Sequence, residues 1–231
     1  MRDVERILAP LRARGVALNT RLVSRDKLDA FNPNHRGVAL EVSPIEAQQT
    51  TASDACWETG KGRTVVLLDQ IQDPQNLGAM LRTAWFLGVD DVVLSRKNTA
   101  PLSETVARVS AGALDMFYGK QSLWAVKGPS ADFLRSLHED RGWRTIATKA
   151  GASGALEASK LQRDENVILV MGSEGPGLRP KVLEACSDFM SIPGRKDGLD
   201  IESGQIVDSL NIIFNALCPC LKALKIFHGA I

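Results

Sequence analysis

From Thr64 onward, continuous apolar runs alternate with apolar residues at helical spacing. Val65-Val-Leu-Leu68 is unbroken, as expected of a strand covered on both faces of a parallel sheet. Leu77, Met80, Leu81, Ala84 and Trp85 then recur at the spacing of one helix face, with Asn76 placed to cap the helix and Gly88 to end it. Val92-Val-Leu94 is the next strand. Further strands are predicted near 145–148, 167–171 and 189–192, and helices near 103–110, 129–141, 178–186 and 209–226. Strands alternating with helices predict an α/β domain with a parallel sheet over residues 64–231. Residues 46–63 carry no periodicity and many small or polar side chains, and read as a linker. Residues 1–45 read as a separate part. It holds a helix around Val4, Ile7, Leu8 and Leu11, a turn at Asn32-Pro33-Asn34, and short extended pieces such as 38–42. There is no internal repeat.

Composition narrows the class. A 44% hydrophobic and 24% charged chain of 231 residues is that of a globular protein, with too much apolar content for disorder. No apolar run approaches the roughly 18 residues that span a bilayer, so no membrane role is expected. The four cysteines fit neither a disulfide framework nor paired zinc-binding units, so no metal is expected, and Cys218-Pro219-Cys220 reads as two ordinary thiols. The net charge of +1 hides an asymmetry: residues 1–36 hold eight Lys/Arg against four Asp/Glu, and the remainder is net acidic. A basic end suits a polyanion such as RNA, and equally a solvated helix face. Arg2, Arg6, Arg12 and Arg14 hint at an organelle presequence, but Asp3 and Glu5 lie among them and no clear targeting segment is read.

In open parallel sheets, ligands bind beyond the carboxyl ends of the strands. Three segments there combine Gly, Asn, Ser and charge: Asp73-Pro-Gln-Asn76-Leu-Gly78 leading to Arg82, Gly172-Ser-Glu174-Gly175-Pro-Gly177, and Ser209-Leu210-Asn211. The second lacks the Gly-Lys-Ser/Thr of a P-loop and the glycine order of the dinucleotide fingerprint. Met171 stands where a nucleophile elbow needs glycine, so Ser173 is not read as an acyl nucleophile. His35, His138 and His228 lie far apart and are read as surface or packing residues. What remains is a glycine-rich loop that could bring backbone groups close to a flat ligand, or could simply be a tight strand-to-helix turn.

Taken together, the three segments resemble the SpoU branch of the knotted SPOUT RNA methyltransferases, also called the TrmH family. Its first motif is matched by Asn76-Leu-Gly78-Ala-Met-Leu-Arg82 and its second by Leu169-Val-Met-Gly172-Ser-Glu174-Gly175-Pro-Gly177-Leu178. Ile192-Pro193 and Ser209-Leu210-Asn211 follow in order, and Ser110-Ala-Gly112-Ala113 also has its counterpart. The resemblance implies an α/β sheet closed by a trefoil knot, a homodimer formed through that knot, and transfer of a methyl group from S-adenosyl-L-methionine to a ribose 2′-hydroxyl of RNA. It implies catalytic roles for Asn76, Arg82, Glu174, Ser209 and Asn211, and cofactor contacts at Gly172, Gly175, Ile192 and Leu210. The family assigns activation of the hydroxyl to the arginine matched by Arg82. A guanidinium is almost never deprotonated, so holding the adjacent phosphate and hydroxyl is the more comfortable role.

Residues 1–45 resemble the latter half of the L30e-like RNA-binding domain that many members carry, through Leu28-Asp29 and Asn34-His35-Arg36-Gly37-Val38. The opening strand and helix of that domain are expected to precede Met1. Glu41-Val-Ser-Pro-Ile45 and the spacer after it are similar to the mitochondrial members, implying a guanosine of mitochondrial large-subunit rRNA as target and the matrix as location. The departure comes after Asn211. The family continues Val-Ser-Val-Ala-Ala, whereas this chain reads Ile212-Ile-Phe214-Asn-Ala216, with a helix-breaking Pro219 beyond. Two readings follow: an active methyltransferase, or a catalytically impaired chain that only binds RNA or dimerises.

Overall fold

A computed structural model describes residues 8–10, 12–13, 15, 19–33, 35, 37–57, 62–149, 165–173 and 176–190. The chain divides into two units, Met1–Ser43 and Pro44–Ile231. In the first, helix α1 (Arg25–Phe31) buries no residue. Beyond it, the His35 ring accepts the Gly37 N–H at Nδ1 (2.9 Å) and faces Asp29 Oδ1 through Nε2 (3.1 Å). That pairing gives His35 a local structural role.

Among the described residues, the second unit forms a seven-stranded parallel sheet in the order β1-β4-β3-β2-β6-β5-β7. Its strands are β1 (Gln48–Thr50), β2 (Thr64–Leu68), β3 (Asp91–Leu94), β4 (Leu123–Val126), β5 (Arg144–Thr148), β6 (Val167–Met171) and β7 (Asp188–Met190). The central runs Thr64–Leu68, Asp91–Leu94 and Val167–Met171 are buried at every position, as the apolar patterning predicts. Alternate residues feed opposite faces. Val66, Leu68, Val92, Leu169 and Met171 pack under α2 (Pro74–Phe86), α3 (Glu104–Val109) and α4 (Ala113–Gly119). Val65, Leu67, Val93, Ile168 and Val170 pack under α5 (Ser130–Arg141) and α6 (Pro180–Glu184).

Several expectations are adjusted. The cap of α2 is Asp73, whose carboxylate accepts the Gln75 N–H, with Pro74 opening the helix; Asn76 lies in its first turn and is not the cap. Within residues 46–63, Gln48–Thr50 form an edge strand, and Trp57 is fully buried against Trp124, Phe133 and Trp143. Its indole donates to Thr50 Oγ1 at 2.9 Å, fastening that stretch to the sheet. Strand β4 and helix α4 were not read from the sequence; each is short, and Gly112 at φ +91° starts α4 abruptly. At the far edge, Arg144 bridges Asp188 and Glu165, and its guanidinium holds the Asp188 carboxyl below the usual carboxylate range. Among the described residues no helix is long and apolar enough to cross a membrane.

Gly78 is where α2 meets α3. A Cβ there would lie 2.8 Å from Val109 Cβ and 3.0 Å from the Val106 carbonyl oxygen, inside normal contact. Gly78→Ala is expected to lower stability by about 1–3 kcal/mol. Urea unfolding checks this, the midpoint falling while the slope with denaturant is retained.

Candidate functional site

Strands β2 and β6 lie side by side, with Leu68 opposite Met171. After β2 the chain moves to β3 on one side; after β6 it moves to β7, beyond β5 on the other. The two loops therefore diverge from adjacent strand ends, and this is the topological switch point where open parallel sheets take ligands. The Asp69 N–H, bonded to the Met171 carbonyl (2.8 Å), marks the floor of the crevice.

One wall is the loop Asp69–Asp73 and the start of α2. Gln70 stands at φ +60°, and its N–H donates to Ser95 Oγ at 2.8 Å. Asn76 is half-buried, whereas Arg82 is exposed. Six residues of α-helix separate them by about 9 Å along the axis and roughly 120° around it, so they do not share a helix face. The structure thus puts Asn76 near the loop and Arg82 towards solvent on the same helix.

The other wall is the glycine-rich segment after β6. Gly172 is buried, and a Cβ built on it would lie 2.4 Å from Gly177 C and 2.5 Å from Leu178 N. Only glycine admits this approach. Ser173 and Gly177 form an antiparallel bridge, the Gly177 N–H donating to the Ser173 carbonyl at 3.1 Å, with Gly177 at φ +67°. Of the two open readings, the geometry shows the tight turn: the segment doubles back on itself. Leu178 then anchors in the core beneath α5 and α6.

Beneath both walls lies a constellation that the sequence reading missed. Asp69 is 1% exposed, and Arg179 grips it with two bonds, Nη2 to Oδ1 at 2.9 Å and Nε to Oδ2 at 3.1 Å. Ser130, at the first position of α5, adds its hydroxyl to Oδ1 at 2.8 Å. The bond pattern ties the end of β2, the base of the glycine hairpin and the start of α5 into one unit. The only available signal was an acid directly after an all-apolar strand. Nearby, burial and the Asp69 charge push the Cys186 thiol up to about 12, and burial also raises Cys56. Neither is a thiolate nucleophile at neutral pH. No group of His, Cys, Asp and Glu that could hold a metal occurs among the described residues. Glu174, Gly175, Ile192, Ser209, Leu210 and Asn211 lie outside the described residues, as do Phe214 and Pro219.

The parallel sheet with diverging loops at β2 and β6 is an α/β fold of the SPOUT type. The sequence profile of the SpoU rRNA Methylase family matches residues 63–213, and the chain belongs to that family. It is 30% identical over 213 residues to a human protein named "rRNA methyltransferase 1, mitochondrial", covering 86% of this chain and 58% of that one. It is 39% identical over 158 residues to the Schizosaccharomyces pombe protein of the same name, covering 64% and 46%. The chain thus spans about half the length of these relatives. An AdoMet-bound rRNA methyltransferase from Sinorhizobium meliloti shares the fold, with a TM-score of 0.61 at 23% identity over 95% of this chain and 77% of that one.

Proposed function

We propose that this chain is an RNA 2′-O-ribose methyltransferase using S-adenosyl-L-methionine. Its target would be a guanosine of mitochondrial large-subunit rRNA, and the chain would act in the matrix as a homodimer through a C-terminal trefoil knot. The observation that carries the reading is the closed Gly172–Leu178 hairpin, set against the Asp69–Gly78 loop at the switch point. A glycine-rich turn packed so closely that Gly172 admits no Cβ would offer main-chain N–H and C=O groups to a flat adenosine. The names of the mitochondrial relatives and the AdoMet-bound neighbour support the same assignment. Residues 1–45 form part of an L30e-like RNA-binding domain, and the stretch after them joins the catalytic sheet through β1 and Trp57.

Backbone at Gly172, Gly175, Ile192 and Leu210 would hold the cofactor, whose sulfonium would supply the methyl group. The chain's own work is positioning. Arg82, exposed on α2, would grip the phosphate beside the target ribose and stabilise charge on the 2′-oxygen, whose proton passes late to water. Asn76 steadies the loop after β2. Glu174 orients Arg82 or the ribose, and Ser209 and Asn211 brace the site from the tail. A second reading rests on Phe214 and Pro219: a bulky side chain and a helix breaker just past Asn211 leave an RNA-binding or dimerising chain without transfer.

The test is methylation of large-subunit rRNA with labelled cofactor, the product read as 2′-O-methylguanosine by mass spectrometry. Arg82→Ala is expected to lower transfer about 10²-fold or more, with cofactor binding kept, because a group acting on developing charge is removed. Unchanged transfer would rule out this role for Arg82. RNA binding without transfer by the parent chain would favour the second reading.

A further inference from the structure

We propose that the turn Arg96-Lys97-Asn98, just beyond β3, is an RNA-backbone clamp that seats the phosphates flanking the target nucleotide. The inference rests on the RNA-methyltransferase reading. Ser95 and Ala100 are buried at its base, while Arg96, Lys97 and Asn98 are exposed. Asn98 takes φ +56°, which closes the turn. The Ser95 and Thr99 hydroxyls lie 2.9 Å apart, and Thr99 Oγ1 donates back to the Ser95 carbonyl at 2.9 Å.

The base of the turn is also stitched to the wall of the crevice. Ser95 N–H donates to the Leu68 carbonyl (3.0 Å), Ala100 N–H to the Ile71 carbonyl (2.8 Å), and Gln70 N–H to Ser95 Oγ (2.8 Å). The turn and the Asp69–Asp73 loop therefore hold a fixed register at the carboxyl ends of neighbouring strands. That is the end of the sheet where the glycine hairpin sits.

Among the described residues, neither Arg96 nor Lys97 makes an ion pair, whereas Arg63, Arg135, Arg144 and Arg179 all do. Two cations on an ordered, closed backbone beside the crevice fit a polyphosphate strand. Arg supplies a fork for phosphate oxygens and Lys a compact charge. Fixing the backbone beforehand lowers the ordering cost of the contact.

The test titrates a fluorescein-labelled single-stranded RNA with the full chain across a salt series, comparing the parent, Arg96→Ala/Lys97→Ala, and Arg96→Lys/Lys97→Arg. Loss of two phosphate contacts on single-stranded RNA is expected to make the slope of log affinity against log salt shallower by about 1.4. Affinity near 0.1 M salt is expected to fall about tenfold or more in the same variant. The charge-retaining variant is expected to keep the parental slope, and calorimetric cofactor binding is expected to be equal in all three. An alanine variant with the parental slope and affinity would overturn the clamp and leave the methyltransferase reading standing. A parent chain that binds no RNA would overturn both.

Discussion

Gly172→Ala is expected to abolish S-adenosylmethionine binding and to lower stability by roughly 3 kcal/mol, near the upper end of what overpacking costs. The added methyl would lie 2.4–2.6 Å from the carbonyl carbon and oxygen of Gly177 and the nitrogen of Leu178. These are backbone atoms, and they cannot step aside as the end of a flexible side chain can. The hairpin must open, which breaks the Ser173–Gly177 bridge and draws Leu178 from its place under α5 and α6. Calorimetry with the cofactor and thermal unfolding check the two halves of the result. A variant that loses stability yet binds the cofactor with parental affinity would separate the hairpin from the pocket.

Arg179→Ala is expected to be at least as destabilising, by about 3 kcal/mol, because it leaves the Asp69 carboxylate buried without its cation. Ser130 alone would then face a carboxylate that is 1% exposed. Arg179 is itself 46% exposed, which places the cost at the lower end for broken buried pairs. Arg179→Lys keeps the charge but loses the two-pronged grip, and an intermediate loss is expected. Adding Asp69→Asn to Arg179→Ala removes the stranded charge, and is expected to recover part of the stability. Denaturant midpoints of the three variants read this directly, and absence of any recovery would mean that the pair does not act as a unit.

The elements that were legible in the sequence are those whose physics is local. β2, β3 and β6 are apolar at nearly every position because both of their faces are covered, and α2 shows one apolar face above the sheet. Strand β1 was not legible because its sequence, Gln48-Gln49-Thr50, is that of a polar edge with one buried residue. Pairing with β4 and a hydrogen bond from Trp57 hold it, and no periodicity announces either. The candidate site divides in the same way. Gly172 could be singled out because close backbone approach selects glycine, and Gly78 because it stands in the first family motif. Asp69, Ser130 and Arg179 could not be grouped. They lie 61 and 110 residues apart in the chain and meet only because β6 is inserted beside β2 and α5 starts above them. Asn76 and Arg82 stood together in one motif, yet helical geometry puts them on different faces.

The central claim is that the hairpin after β6 is an S-adenosylmethionine pocket, and calorimetric titration of the cofactor into the purified chain tests it most directly. The chain should be compared with a version whose residues 212–216 are restored to Val-Ser-Val-Ala-Ala. Saturable binding by the chain, lost in Gly172→Ala, is the predicted result, and binding by the restored version alone would assign the defect to the tail. No binding by either would contradict the account.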